Sequence, residues 1–76
     1  MKDKVFQIVS RIMGVPMEQI SEHSSPDGVQ EWDSLKHMSL LLSLEEEFDV
    51  RFEDDELIEM MSVGKILEVL QKHIVR

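Results

Sequence analysis

Glu31-Trp32-Asp33-Ser34-Leu35 opens the segment on which the fold of this 76-residue chain depends. Asp33 is a residue type that favours the N-cap of a helix, which places Ser34 at the first helical position. The leucine-rich run from Leu35 to Phe48 carries the periodicity of a helix. Because a helix N-terminus is electropositive, a phosphate group on the Ser34 hydroxyl would be favoured there. Ser34 is therefore the first candidate functional residue.

The composition predicts one acidic domain spanning residues 1–76. Sixteen acidic residues against eight Lys and Arg give a formal net charge of −8. This balance disfavours binding to nucleic acid or to an anionic membrane surface, and it favours basic protein partners. The absence of cysteine excludes disulfide bonds, thiolate zinc sites and a cysteine nucleophile.

The hydropathy pattern predicts a soluble, all-α protein. No apolar run approaches the roughly 18–20 residues of a membrane span, and the first residues do not form a signal-peptide apolar region. We therefore expect no membrane insertion, a cytoplasmic location and a monomer by default. With two prolines, three glycines and no sustained strand-like alternation, all-α structure is favoured.

Apolar spacing predicts four helices, over residues 3–13, 34–48, 55–61 and 63–75. Gly14 is expected to end the first helix. Asp54 or Asp55 is expected to cap the third helix, and Ser62 the fourth.

Two connections join these helices. The first, residues 14–32, is long, and its expected apolar contacts with the core are Ile20 and Val29. Such a length is compatible with a functional role or merely with the geometry of the two helices. The second connection, residues 49–53, should be extended, with Val50 and Phe52 directed inward.

The second predicted helix has a wider apolar surface than a single core contact requires. At about 100° per residue, the core side gathers His37, Leu40, Leu41, Leu44 and Phe48. Another side gathers Leu35, Met38, Leu42, Glu45 and Glu46. Either the helix is wedged between several others, or this second side is partly exposed for a partner. The glutamates at 45–47 lie near the negative end of the helix dipole, where each costs about 0.3–1 kcal/mol of stability. They form either a solvated acidic face or a docking surface.

Catalysis and metal binding find little support in the residues. Ser34 and His37 are close enough on one helix to meet, but a hydrolase also needs an orienting acid, an oxyanion hole and a cleft. His23, His37 and His73 lack ligand spacing. Residues 49–60 lack the central glycine and the final glutamate of a calcium loop. We therefore predict no catalytic residue and no metal site.

The methionines and the single tryptophan each allow two interpretations. Met60 and Met61, with Ile58, fill the core or line an adaptable apolar cavity, and these two roles are compatible. Trp32 either anchors the end of the long loop against the second helix or contacts a partner. We favour the anchor for Trp32 and the core for the methionines.

Asp33-Ser34-Leu35, at the start of a helix after a long loop, resembles the acyl carrier proteins. Leu44-Glu45-Glu46-Glu47-Phe48 is similar to the acidic end of that family's second helix, and Ser62-Val63 is similar to the start of its fourth. The resemblance covers essentially the whole chain. It implies an acyl-carrier-like four-helix bundle with a long first loop and a short third helix.

The resemblance also implies a function. Ser34 would accept 4′-phosphopantetheine from coenzyme A through a separate, magnesium-dependent phosphopantetheinyl transferase. The arm would end in a thiol that holds an acyl group as a thioester, so the chain would be a non-catalytic carrier. In the family, helices two, three and four can enclose the acyl chain. Acyl-loading and synthase enzymes with basic docking patches would contact the residues that match the family's partner face, Asp33, Leu35, Met38, Leu42, Glu45 and Glu46.

Some positions depart from the family's pattern. Typical fatty-acid carriers have a glycine shortly before the serine motif, where this chain has Glu31 and Trp32. Lys36 and Ser39 occupy two positions that are usually acidic. With these departures, the Trp-Asp-Ser-Leu motif of this chain is more similar to stand-alone carriers of specialised polyketide, lipid or surface-polysaccharide pathways than to the general fatty-acid carrier. An aminoacyl or peptidyl carrier and an unmodified helical interaction module are the alternatives.

Overall fold

The computed structural model describes residues 2–74 and shows four α-helices joined by turns and loops within that range. The α-helices are α1 (Lys2–Met13), α2 (Ser34–Phe48), α3 (Asp54–Glu59) and α4 (Val63–Ile74). A 3-10 helix over Met17–Gln19 lies in the first connection and was not predicted. The all-α prediction is confirmed. The predicted end of the fourth helix at Val75 lies outside the described residues.

The core is formed by one apolar cluster to which all four helix regions contribute. Leu40, Leu41 and Leu44 of α2 are at most 1% exposed. They pack with apolar side chains from the rest of the chain, among them Val5, Val9, Met13, Met60, Val63, Ile66 and Leu70. The predicted contacts Ile20 and Phe52 are buried, and Val29 and Val50 are partly buried against the same cluster.

The ends of α1 and α2 use the left-handed backbone conformation. Gly14 has φ +72° and its N–H donates to the Ser10 carbonyl at 2.8 Å, which confirms the predicted stop of α1. Asp49 caps α2 with φ 54°, a conformation that Asp and Asn tolerate better than most residues. At both positions the left-handed conformation ends the helix within one residue.

The first connection is fixed against α4 by backbone hydrogen bonds. Val63 N donates to the Ser24 carbonyl at 2.9 Å, and Gly64 N donates to the Glu22 carbonyl at 2.8 Å. These bonds satisfy two N–H groups that a helix start leaves without partners. A Cβ at position 64 would lie 3.0 Å from the Glu22 carbonyl oxygen, so glycine permits this close approach. Ser62 caps the same helix end through Lys65 N at 3.2 Å, as predicted.

The start of α3 differs from the prediction. Glu53, not Asp54 or Asp55, is the N-cap, and it forms a reciprocal capping box with Glu56. Glu53 N donates to Glu56 Oε1 at 2.8 Å. The His73 Nε2 atom of α4 lies 2.9 Å from the same carboxyl oxygen. The helix also ends at Glu59, so Met60 and Met61 follow it instead of forming its last turn.

Glu56 makes stability dependent on pH. The hydrogen bond from the Glu53 backbone lowers the pKa of Glu56 from its usual value of 4.5, and the contact with His73 lowers it further. Because the folded state has the lower pKa, ionised Glu56 stabilises it fully above pH 4.5, and that contribution is lost as the pH falls through the folded pKa.

We expect Glu56→Gln to reduce the free energy of unfolding by about 1 kcal/mol at neutral pH. The difference in unfolding free energy between this variant and the wild type is the gap to follow, and it should close as the pH is lowered through the acidic range. Urea denaturation at a series of pH values measures it. Glu59→Gln, which changes an exposed carboxylate on the same helix, is the control and should show no such gap. A gap that stays constant down to low pH would contradict this role for Glu56.

Candidate functional site

Ser34 is the first residue of α2 and is exposed to solvent. Asp33 before it has extended backbone angles and accepts a hydrogen bond from Lys36 N at 2.8 Å through Oδ1. The Asp33 carbonyl accepts the N–H of His37 at 2.8 Å, as an N-cap carbonyl does. The predicted cap and the predicted position of Ser34 are both confirmed. The hydroxyl therefore stands at the electropositive end of a 15-residue helix.

Trp32 fixes the loop end against α2 through a hydrogen bond to His37. The indole Nε1 donates to His37 Nδ1 at 2.9 Å, and the tryptophan is only 3% exposed. Because Nδ1 accepts this bond, neutral His37 carries its proton on Nε2, which lies 3.5 Å from the Leu57 carbonyl of α3. The anchoring role predicted for Trp32 is confirmed.

This arrangement gives His37 a structural role. Its two ring nitrogens face Trp32 and Leu57, and neither is hydrogen-bonded to the Ser34 hydroxyl as a hydrolase would require. Within residues 2–74, no group of three or more His, Asp or Glu side chains is arranged to hold a metal ion. None of the described helices has the length and apolar character that a membrane crossing needs.

A groove of about 480 Å³ opens beside Ser34. Its lining comes from the loop, the start of α2 and the segment after α3, and consists of Pro26, Trp32, Asp33, Ser34, His37, Met38 and Met61. Met61 is 47% exposed, whereas Met60 is fully buried in the core. Of the predicted cavity residues, Met61 thus lines a groove, Met60 fills the core and Ile58 is largely exposed, at 76%.

The second predicted side of α2 is exposed. Leu35, Met38 and Leu42 are 81%, 47% and 58% exposed, which is unusual for large apolar side chains on one helix face. This side of α2 is therefore open to solvent and is not wedged between other helices. The exposed Ile58 on α3 was missed as a surface residue, because its helical spacing suggested core.

The three consecutive glutamates of α2 have three different environments. Glu45 is partly buried, and its Oε2 accepts Phe52 N at 2.8 Å, which fixes the second connection to the helix. Glu47 pairs with Lys4 of α1 at 3.5 Å. Glu46 is exposed and lines a shallow depression of about 610 Å³ together with Leu42, Glu45, Asp49, Val50 and Arg51. The exposed acidic surface that is free of these contacts is therefore centred on Glu46.

Comparison with known proteins identifies the family of the chain. The family model described as "Phosphopantetheine attachment site" matches residues 3–70. The acyl carrier protein of Clostridium acetobutylicum is 32% identical over 71 residues, which cover 93% of this chain and 92% of that protein. The acyl carrier protein of Chlorobium phaeovibrioides is 34% identical over 71 residues, covering 93% of this chain and 91% of that one.

A solved structure shows the same fold. The holo acyl carrier protein from Geobacter metallireducens superimposes with a TM-score of 0.86 at 27% identity, covering 99% of this chain and 86% of that one. The fold and the family match together define a phosphopantetheine-attachment domain. The chain belongs to the acyl carrier protein family.

The bond between Trp32 and His37 can be measured by a double-mutant cycle. Trp32→Phe leaves an acceptor without its donor, and His37→Leu leaves a buried donor without its acceptor. Each change should therefore lower the free energy of unfolding by about 1–3 kcal/mol. The double variant should lose less unfolding free energy than the two single variants together. Urea denaturation should give a coupling energy of about 1 kcal/mol between the two residues. Additivity within about 0.3 kcal/mol would show that the bond contributes nothing.

Proposed function

We propose that Ser34 carries 4′-phosphopantetheine and that the chain presents acyl groups, bound as thioesters to this arm, to partner enzymes. The supporting observation is the exposed Ser34 hydroxyl at the first position of α2. The match of residues 3–70 to a phosphopantetheine attachment family supports the same assignment. The arm supplies the thiol that this cysteine-free chain lacks.

The residues around Ser34 suit a phosphodiester. The helix dipole favours negative charge at this end, and no acidic residue stands in the first turn of α2. The Asp33 carboxylate accepts the Lys36 N–H, so its negative charge is partly balanced by the helix backbone. During modification, Ser34 Oγ forms a bond to the phosphorus that bears the pantetheine of coenzyme A. The bond to the adenosine bisphosphate leaving group breaks, and the transferase accepts the hydroxyl proton.

The chain acts in this proposal as a tether and not as a catalyst. His37 is held by Trp32 and Leu57, and is therefore not placed to activate Ser34. Catalytic groups for loading and extending the acyl group would come from the partner enzymes. An aminoacyl or peptidyl cargo would use the same attachment, and nothing in the described residues favours it.

Partner enzymes would contact the exposed side of α2. Near Ser34 this surface is apolar, with Leu35 and Met38, and it continues one turn further to Leu42. Acidic groups gather at the far end of the helix, where Glu46 is exposed. A basic patch on the partner would pair with that end while an apolar surface covers the middle. Asp33 and Glu45 are partly committed to structural hydrogen bonds, so they contribute less to docking in this proposal.

The attachment residue can be tested by intact mass. Incubation with coenzyme A and a broad-specificity phosphopantetheinyl transferase should add one phosphopantetheine to the wild type. Ser34→Ala should abolish the addition, because the accepting oxygen is removed. Ser39→Ala, which removes another exposed serine on the same helix, should leave it complete. An unmodified wild type beside a fully modified control carrier would contradict the proposal.

The acidic end of α2 can be tested by reversing one charge. Glu46→Lys should reduce transfer to a basic partner enzyme about two- to fivefold at low ionic strength, as expected for an exposed ion pair of about 0.5–1 kcal/mol. The loss should shrink in salt, because exposed charges are screened. Glu18→Lys makes the same change of net charge in the first connection, where Glu18 is also exposed, and should have little effect. Equal rates for the two variants would contradict docking through Glu46.

A further inference from the structure

His37 connects the end of the long loop, α2 and α3 close to the candidate site. Its ring stacks on Trp32 at a centroid separation of 6.0 Å, and its Nδ1 accepts the indole N–H at 2.9 Å. Ser34 lies one helical turn earlier on α2. We infer that neutral His37 is a positioning residue for transfer of the arm to Ser34, and that a proton on its Nδ1 releases the end of the loop. The inference rests on the proposed function, because it concerns how fast Ser34 is modified.

The bond from Trp32 is compatible with only one protonation state of His37. In a neutral imidazole one ring nitrogen accepts a hydrogen bond and the other donates one, whereas both donate once the ring is protonated. A proton on Nδ1 would therefore place two N–H donors 2.9 Å apart. Because the tryptophan is only 3% exposed, water does not readily replace the lost acceptor. The Leu57 carbonyl can accept from Nε2 in either state, so the proton acts on the Trp32 bond.

The elements in contact with His37 carry charges of both signs. The loop end carries Glu31 and Asp33, and Lys36 precedes the histidine on α2. The acidic residues of α3 are Asp54, Asp55, Glu56 and Glu59. None of these side chains is hydrogen-bonded to the indole N–H, whose acceptor within residues 2–74 is His37 Nδ1. Protonation of that one nitrogen therefore decides whether the buried donor is satisfied.

Loss of the bond would reach Ser34 through the backbone. Trp32 and Asp33 lead directly into the first turn of α2, and the Asp33 carboxylate and carbonyl cap that turn. A loop end that is free of His37 holds Asp33 less firmly, so the Ser34 hydroxyl would occupy several positions instead of one. A transferase that needs one geometry acts only on the fraction of chains that present it. Transfer should therefore slow as histidine gains its proton.

The sign of the pH dependence follows from the neutral ring. The closed loop end requires an unprotonated Nδ1, so it is fully populated above the range in which histidine titrates and is lost as the pH falls through that range. The other described histidines act differently. A proton on His73 strengthens its contact with the Glu56 carboxylate, and His23 is exposed. Because the pKa of Glu56 is lowered from 4.5, loss of its charge occurs at a lower pH.

The single tryptophan allows the bond to be followed in the wild type alone. Its indole N–H gives one side-chain resonance in a nitrogen–proton correlation spectrum, because the chain contains one tryptophan. As the pH is lowered from about 8 to about 5, this resonance should shift along the same sigmoidal curve as the ring signals of His37. An indole resonance that stays in place while the His37 ring titrates would overturn the inference, and so would a His37 ring that remains neutral throughout.

His37→Asn is the matched variant for this titration. The asparagine carbonyl oxygen can replace Nδ1 as the acceptor of the indole N–H, but it gains no proton in this pH range. The indole resonance of the variant should therefore stay in place. A resonance that moves in His37→Asn as it does in the wild type would contradict control by His37.

Transfer rates test the consequence for Ser34. A broad-specificity phosphopantetheinyl transferase with coenzyme A modifies each chain, and intact mass gives the initial rates. Dividing the wild-type rate by the His37→Asn rate removes the pH dependence of the transferase itself. We expect this ratio to be close to one at about pH 8 and to fall about threefold by about pH 5.5. A ratio that stays constant over this range would overturn the positioning role.

Two further variants complete the comparison. His37→Leu removes the acceptor, so its transfer should be slower than that of His37→Asn at every pH. His23→Asn changes an exposed histidine in the first connection, and the ratio of wild type to this variant should not change with pH. Equal rates for His37→Leu and His37→Asn would contradict positioning through the Trp32 bond. A wild type that gains no mass at any pH would instead count against attachment at Ser34, so the two proposals fail separately.

Discussion

The hydrogen bond from Trp32 Nε1 to His37 Nδ1, 2.9 Å long, is the contact on which the geometry of the candidate site depends. Its two partners stand on either side of Asp33 and Ser34 in the sequence, so it joins the end of the long loop to the first turn of α2 across the candidate site. The indole is buried, and a buried donor without a partner costs about 1–3 kcal/mol. Because breaking the bond would incur this cost, the loop end stays against α2. The loop end in turn holds Asp33 at the helix start. Ser34 is consequently exposed, but it lies on a fixed backbone.

The rest of the long connection is fixed in a different way. Its Glu22 and Ser24 carbonyls accept N–H groups from the start of α4, and Gly64 allows the chains to approach. The loop thus bridges α4 and α2, and its length is needed to cover both helix starts. At the opposite end of α2, Glu45 joins the helix to Phe52, while Glu46 and Leu42 stay exposed. The two ends of α2 therefore differ, because the end that bears Ser34 is held by the loop and the other end exposes an acidic surface.

The features that could be predicted from the sequence depend on residues close to one another along the chain. The caps at Asp33 and Ser62, the stop at Gly14 and the buried leucines of α2 all follow from spacing within one or two turns. The start of α3 could not be predicted in this way, because Glu53, Asp54 and Asp55 can all cap a helix. Glu53 is selected by its reciprocal bond with Glu56, which His73 contacts from α4. Similarly, the structural role of Glu45 depends on where the chain returns at Phe52. The exposure of Ile58 depends on how a six-residue helix lies on the others.

The proposed role of Ser34 is that of the tether in a carrier. A two-dimensional phosphorus–proton correlation spectrum of the modified chain can test this role, because scalar coupling passes only through bonds. The chain has eight serines, and we expect a single phosphodiester resonance, correlated with the β protons of Ser34 on one side and with the pantoyl methylene on the other. A phosphodiester correlated with the β protons of any other serine would rule out Ser34 as the attachment residue.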